Sequence, residues 1–232
     1  MGKTASSEDL KAALANYSGA LELKAASSKT SNDLVALDAW FRGDLRERIQ
    51  TVGYLTKEDI VKLMKWKLAR GKFRPTLMSL VSSNDSKDVE AITKEALQLG
   101  TAAPSKVMNK LCELKGVGPA TASAILSTYA FEDVPFLSDE ASLAMGLGTP
   151  KYTAKYFEQF REAMQRRLQA EEGWKTMETL EMACWAWVVL GSQPAQSTST
   201  VESSSTKRSA PADNGESALK AGKRPRHGSK KQ

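Results

Sequence analysis

The stretch Leu111–Leu126 limits what this chain can fold into more than any other. Val107, Leu111 and Leu114 recur at i, i+4 and i+7 on its leading side, and Ala122, Ile125, Leu126 and Tyr129 at i, i+3, i+4 and i+7 on its trailing side. That spacing marks two short amphipathic helices. Between them Gly116 sits where a helix C-terminal glycine belongs, Gly118 is a second permissive residue, and Pro119 falls at the first position of the next helix. The pattern predicts a helix-hairpin-helix.

Such a hairpin has a chemistry of its own. Two glycines let the backbone approach a ligand closely, and the start of a helix carries unpaired N–H groups with a partial positive charge. Gly116, Val117, Gly118 and Ala120 are therefore candidate donors to one phosphate, with Lys110, Lys115 and Lys106 supplying charge nearby. Contacts of this kind hold a nucleic-acid backbone without reading its sequence. The same residues also suit a tight turn that only reverses the chain between two helices.

From Asn32 to Gly191 every segment is helical in pattern, and none shows sustained strand alternation. Asn32 precedes Leu34, Leu37, Phe41 and Leu45; Thr56 and Asp59 resemble a capping box before Ile60, Leu63, Met64 and Leu68, and Gly71 closes that helix. A short helix is expected from Pro75 to Val81, another between Ser86 and Gly100, one after Ser138, a long one opened by Thr149-Pro150, and a last from Lys175 to Leu190. About nine helices with short connections make the fold class all-α, a single multi-helix domain over 32–191. Residues 1–31, rich in Ala, Ser and Lys, are expected as a flexible segment holding at most one marginal helix through Leu10, Leu14, Tyr17 and Leu21.

Residues 192–232 turn to Ser, Thr, Pro, Ala, Gly and charge without apolar periodicity, which predicts a disordered basic tail. Within it Lys207-Arg208 and Lys223-Arg224-Pro225-Arg226 form two basic clusters, the pattern of a bipartite nuclear localisation signal read by the import machinery; a solubilising tail has the same composition. The charge of the chain needs dividing accordingly. Residues 191–232 carry eight Lys/Arg against three Asp/Glu, while 1–190 carry 25 against 24. Any affinity of the body for nucleic acid must then come from a local patch, not from net charge.

Other classes are set aside by composition. One histidine and two cysteines, Cys112 and Cys184, supply neither a zinc site nor a four-cysteine cluster, so no metal or cofactor is expected. The longest apolar run, Ala183–Leu190, is far short of the roughly 20 residues that cross a bilayer, and no membrane partner is expected.

Leu114-Lys115-Gly116-Val117-Gly118-Pro119-Ala120-Thr121-Ala122 resembles the motif of the helix-hairpin-helix DNA glycosylase superfamily. The loop Glu132–Asp139 follows at the distance that places Asp139 where that family carries its catalytic aspartate. The resemblance covers about 107–145 and implies a glycosylase-like scaffold on which an extruded base is cut from its sugar, Asp139 stabilising the oxocarbenium-like transition state. Bifunctional members carry a Schiff-base lysine at the position of Ala120, so the resemblance implies a monofunctional enzyme. Ser138-Asp139-Glu140-Ala141 departs from the family's usual continuation, and Asp139 also suits a plain first-turn acid.

Two further features stand out. Lys62–Pro75 holds six basic residues interleaved with Trp66 and Phe73, either a solvated face over a buried Trp66 or phosphate contacts beside an aromatic that stacks on a base. Trp174, Trp185 and Trp187 read as core packing. The leading expectation is a nuclear DNA-binding protein that grips the phosphate backbone through its hairpin on a glycosylase-like scaffold. The alternatives are an active monofunctional DNA glycosylase of base excision repair with Asp139 catalytic, and a helical protein-interaction domain without nucleic acid.

Overall fold

A computed structural model describes residues 4–27 and 29–191, and among them it contains helices and no strands. The helices that build the core are set by their own caps. Thr56 and Asp59 form the expected box, the Thr56 hydroxyl accepting the Asp59 N–H and the Asp59 carboxylate accepting the Thr56 N–H, and they start α5 (Lys57–Arg70). That helix buries Ile60, Leu63, Met64, Trp66, Leu68 and Arg70. Pro75 opens the helix α6 (Pro75–Ser82), and Asp85 caps α7 (Ser86–Gln98).

The hairpin consists of α8 (Pro104–Leu111) and α9 (Pro119–Tyr129). Residues 120–128 of α9 are buried without interruption, because small Ala, Ser and Thr side chains let neighbouring helices approach from all sides. Ser123, Ser127 and Thr128 return their hydroxyl protons to the carbonyls three residues back, so no polar group is stranded there. The short α10 (Asp139–Ala144) follows Ser138, its N-cap, and then come α11 (Ala154–Ala170) and α12 (Met177–Gly191). The last helix buries Trp185 and Cys184 in the core, with Trp187 packed at its edge.

Two expectations are corrected. Within the segment 1–31, expected to be flexible, the described residues include α1 (Ser7–Ala15) and α2 (Tyr17–Ala26), both packed on α12. A capping box of Ser6 with Asp9 starts α1, and Leu10, Ala20 and Tyr17 are buried. Helices this short are marginal alone, but a buried Leu or aromatic ring contributes roughly 1.5–3 kcal/mol each, enough to hold them against the body. The single helix expected after Asn32 is two, α3 (Leu34–Arg42) and α4 (Asp44–Val52), broken at Gly43. That brings the count among the described residues to twelve, not nine.

A buried polar network ties the N-terminal helices to α5 and α12. Asp38 accepts from the Tyr17 hydroxyl (3.1 Å), the Trp66 indole (2.8 Å) and Arg42 Nε (2.9 Å). Burial alone would raise the Asp38 carboxyl, but Arg42, Arg70 and the Trp66 N–H together hold it below its usual value. Trp66 stacks flat on Phe41 with ring centroids 3.6 Å apart, so it is a core residue and not a surface aromatic.

Candidate nucleic-acid interface

The two hairpin glycines serve different ends. Gly116 has φ +77°, and a Cβ there would stand 3.0 Å from Leu80 Cβ and 3.0 Å from the Val81 backbone nitrogen. Because α6 packs directly on the turn, glycine is the residue that fits. Gly118 is extended (φ −105°, ψ −178°), a conformation open to any residue, and nothing lies within 4 Å of where its Cβ would be. Its side of the turn is free for a ligand.

Asn84, at the junction of α6 and α7, clamps the turn from behind. Its Oδ1 accepts the Lys115 N–H at 2.8 Å, and its Nδ2 donates to the Lys115 and Val81 carbonyls at 2.9 Å each. The Val117 N–H donates to the Leu114 carbonyl at 3.1 Å and the Val117 side chain is buried, which removes Val117 from the phosphate donors expected from the sequence. The N–H groups of Gly116, Gly118 and Ala120 meet no protein acceptor among the described residues. Lys115 is exposed beside them, whereas Lys110 is paired with Glu95 (2.8 Å) and Glu113 (2.9 Å).

Beside the turn lies a cavity of about 190 Å³, walled by Gly116, Gly118, Pro119 and Ala120 of the hairpin, by Asp139 and Glu140, by Lys67, Arg70, Lys72 and Arg74, and by Phe136, Leu77 and Tyr152. At ~30 Å³ per water molecule this is room for about six waters, the scale of one heterocyclic ring with its substituents. Hairpin, aspartate and basic segment, far apart in the sequence, thus share one wall.

Three anchors place Asp139 there. The Leu137 N–H donates to Ser123 Oγ of α9 at 2.9 Å, which fixes the loop leading into α10. Ser138 Oγ accepts the Ala141 N–H and donates to Glu181 Oε1 at 2.6 Å. Glu181, from α12, holds Arg70 through two hydrogen bonds of 2.7 and 2.8 Å, and both side chains are buried. The guanidinium also lies against the rings of Trp185 (4.5 Å) and Trp66 (5.5 Å). Arg70 is therefore a buried structural cation in the cavity wall, neutralised by Glu181.

The remaining cations of the basic segment divide by position. Lys67, Lys72 and Arg74 reach the cavity, while Lys62 lies over the Trp40 ring at 4.4 Å. Burial pushes the Lys67 ammonium below its usual range and Arg74 adds to that, with Asp139 and Glu140 pulling the other way. Glu140 is raised, chiefly by burial, against the pull of its own backbone N–H and Arg70. Between Lys72 and Arg74, Phe73 is 51% exposed and is not part of the cavity wall, so it projects outward from the loop. Of the two aromatics in this segment, Phe73 is the one a ligand can reach.

Sequence reasoning missed Asn84, Glu181 and Tyr152, whose partners lie 31, 43 or 111, and 13 residues away. The described residues contain no cluster of His, Cys, Asp and Glu fit for a metal ion and no helix long and apolar enough to cross a membrane. The basic clusters at Lys207, Arg208, Lys223, Arg224 and Arg226 lie outside the described residues. Comparison with protein families, with curated proteins and with solved structures finds no match to this chain.

Proposed function

We propose that this chain binds DNA through its hairpin and receives one unpaired nucleotide in the adjoining cavity. The observation that carries the reading is the convergence of the open Gly118 face, the free N–H groups of Gly116 and Ala120, the cations Lys67, Lys72 and Arg74, and the Asp139 carboxylate on one cavity. A backbone phosphate at the turn would accept from the hairpin amides at the positive end of α9. Phe73, exposed between two cations, is placed to stack on a base next to the site. In a body of near-zero net charge such a patch supplies the local field that binding needs. The basic clusters of 207–226 would carry the chain to the nucleus, which a fusion of these residues to a reporter tests directly.

Asp139 in the cavity favours a second reading, a monofunctional DNA glycosylase. A carboxylate beside an extruded nucleotide can stabilise the positive charge that develops on the sugar as the base departs. Ala120 at the cavity wall offers no amine in the manner of bifunctional family members. Incubation with duplexes carrying single damaged bases tests this: base release that Asp139→Asn abolishes while binding persists supports catalysis, and equal turnover in the variant removes Asp139 from it. Absence of any DNA affinity would instead leave a helical protein-interaction domain.

A further inference from the structure

Tyr152 lies in the connection between α10 and α11, and its hydroxyl donates to Asp139 Oδ1 at 2.5 Å. The Arg74 guanidinium carbon stands 5.5 Å from the centre of the Tyr152 ring. One phenol thus joins the cation of the α5–α6 loop to the acid of α10 at the cavity wall. Asp139 Oδ2 accepts from no protein group among the described residues, so the carboxylate has one engaged oxygen and one open one. Burial, then the bond to Asp139 and its charge, push the phenol up to about 12, so it remains a donor at every physiological pH.

We propose that Tyr152 is the positioning residue of this site, holding Asp139 by one oxygen so that the other is presented to a nucleotide in the cavity. Lys67 and Arg74 both sit in the same wall, and the Lys67 ammonium is drawn to the same carboxylate. Without the phenol, Asp139 turns to one of these cations, and its open oxygen is lost to the ligand. Tyr152 is 39% exposed and supplies little of the core, so its hydroxyl can be removed without disturbing the fold. The inference rests on the reading of the cavity as a nucleotide site and adds to it the residue that sets the aim of its acid.

The test uses the full chain and two duplexes, one plain and one with a single abasic analogue, compared by fluorescence anisotropy. Tyr152→Phe keeps the ring against Arg74 and removes the hydroxyl. It is expected to lower the preference for the abasic duplex about tenfold, the worth of one hydrogen bond to a charged group, with plain-duplex binding and melting temperature unchanged. Asp139→Asn should have the same effect, and the double variant no more than either alone, since both remove one interaction. A Tyr ¹³Cζ titration should show the Tyr152 phenol, raised to about 12 first by burial and then by Asp139, falling part of the way toward its ordinary value in Asp139→Asn. Wild-type preference in Tyr152→Phe, or additive losses in the double variant, overturns the positioning role and leaves the cavity reading standing. A chain that binds neither duplex overturns both.

Discussion

Replacing each hairpin glycine by alanine separates what the fold requires from what a ligand requires. At Gly116 the left-handed backbone costs an alanine roughly 1–2 kcal/mol. Its Cβ would also meet Leu80 Cβ and the Val81 nitrogen, both at 3.0 Å and one of them backbone, so part of an overpacking cost of about 1–3 kcal/mol is added. The sum is about 3 kcal/mol. For a domain of this size 1 kcal/mol moves Tm by about 2–4 °C, so Gly116→Ala should melt about 6–12 °C lower. Gly118→Ala meets nothing and keeps an ordinary extended backbone. Alanine is a poorer N-cap than glycine by about 0.5–1 kcal/mol, but it lowers the entropy of the unfolded chain by about 0.4–1 kcal/mol. The two nearly cancel, and Tm should stay within about 2 °C of wild type. The methyl group would nevertheless stand where a phosphate must approach, and plain-duplex affinity by anisotropy should fall severalfold. Equal melting of the two variants refutes the packing argument; unchanged affinity of Gly118→Ala refutes the close approach.

Other outcomes follow from the same contacts. Arg70→Met leaves Glu181 buried without its cation and should cost about 3–5 kcal/mol, whereas Arg70→Met with Glu181→Met should recover most of it, as read by urea denaturation. Phe73→Ala should leave Tm unchanged, the ring being half exposed, and weaken binding to the abasic duplex about tenfold through lost stacking. Asp38 contributes stability that is present above its unfolded value of 3.8 and is lost as the pH falls below it through the lower folded value. Denaturation midpoints between about pH 5 and about pH 2.5 should therefore drop less steeply in Asp38→Asn than in the wild type.

The parts of this fold that could be read from the sequence are those fixed by neighbours in the chain. The Thr56–Asp59 box, Pro75, Ser138 and the Gly116–Pro119 turn all act within four residues, and each lies where its pattern puts it. Asp139 is singled out by the resemblance to the glycosylase motif, and its place in the cavity comes from anchors in α9 and α12 that the motif does not reveal. The N-terminal helices carry little signal in the sequence because their propensity is weak and their stability comes from α12, some 160 residues later. The basic segment was ambiguous for a related reason: its cations share no helical face, and only the turn at Gly71 carries Lys72 and Arg74 to the wall that Lys67 already occupies. Asn84 had no signal, since a buried asparagine holding the backbone of a residue 31 positions away resembles any loop asparagine in sequence.

The most direct test of the central claim is the affinity of the full chain for a duplex with one abasic analogue against the same duplex without it, measured by anisotropy at several salt concentrations. A hairpin grip beside a nucleotide cavity predicts tighter binding to the abasic duplex at every salt concentration, with both affinities falling as salt rises. Equal affinity for the two duplexes, or affinity carried entirely by residues 192–232, would contradict it.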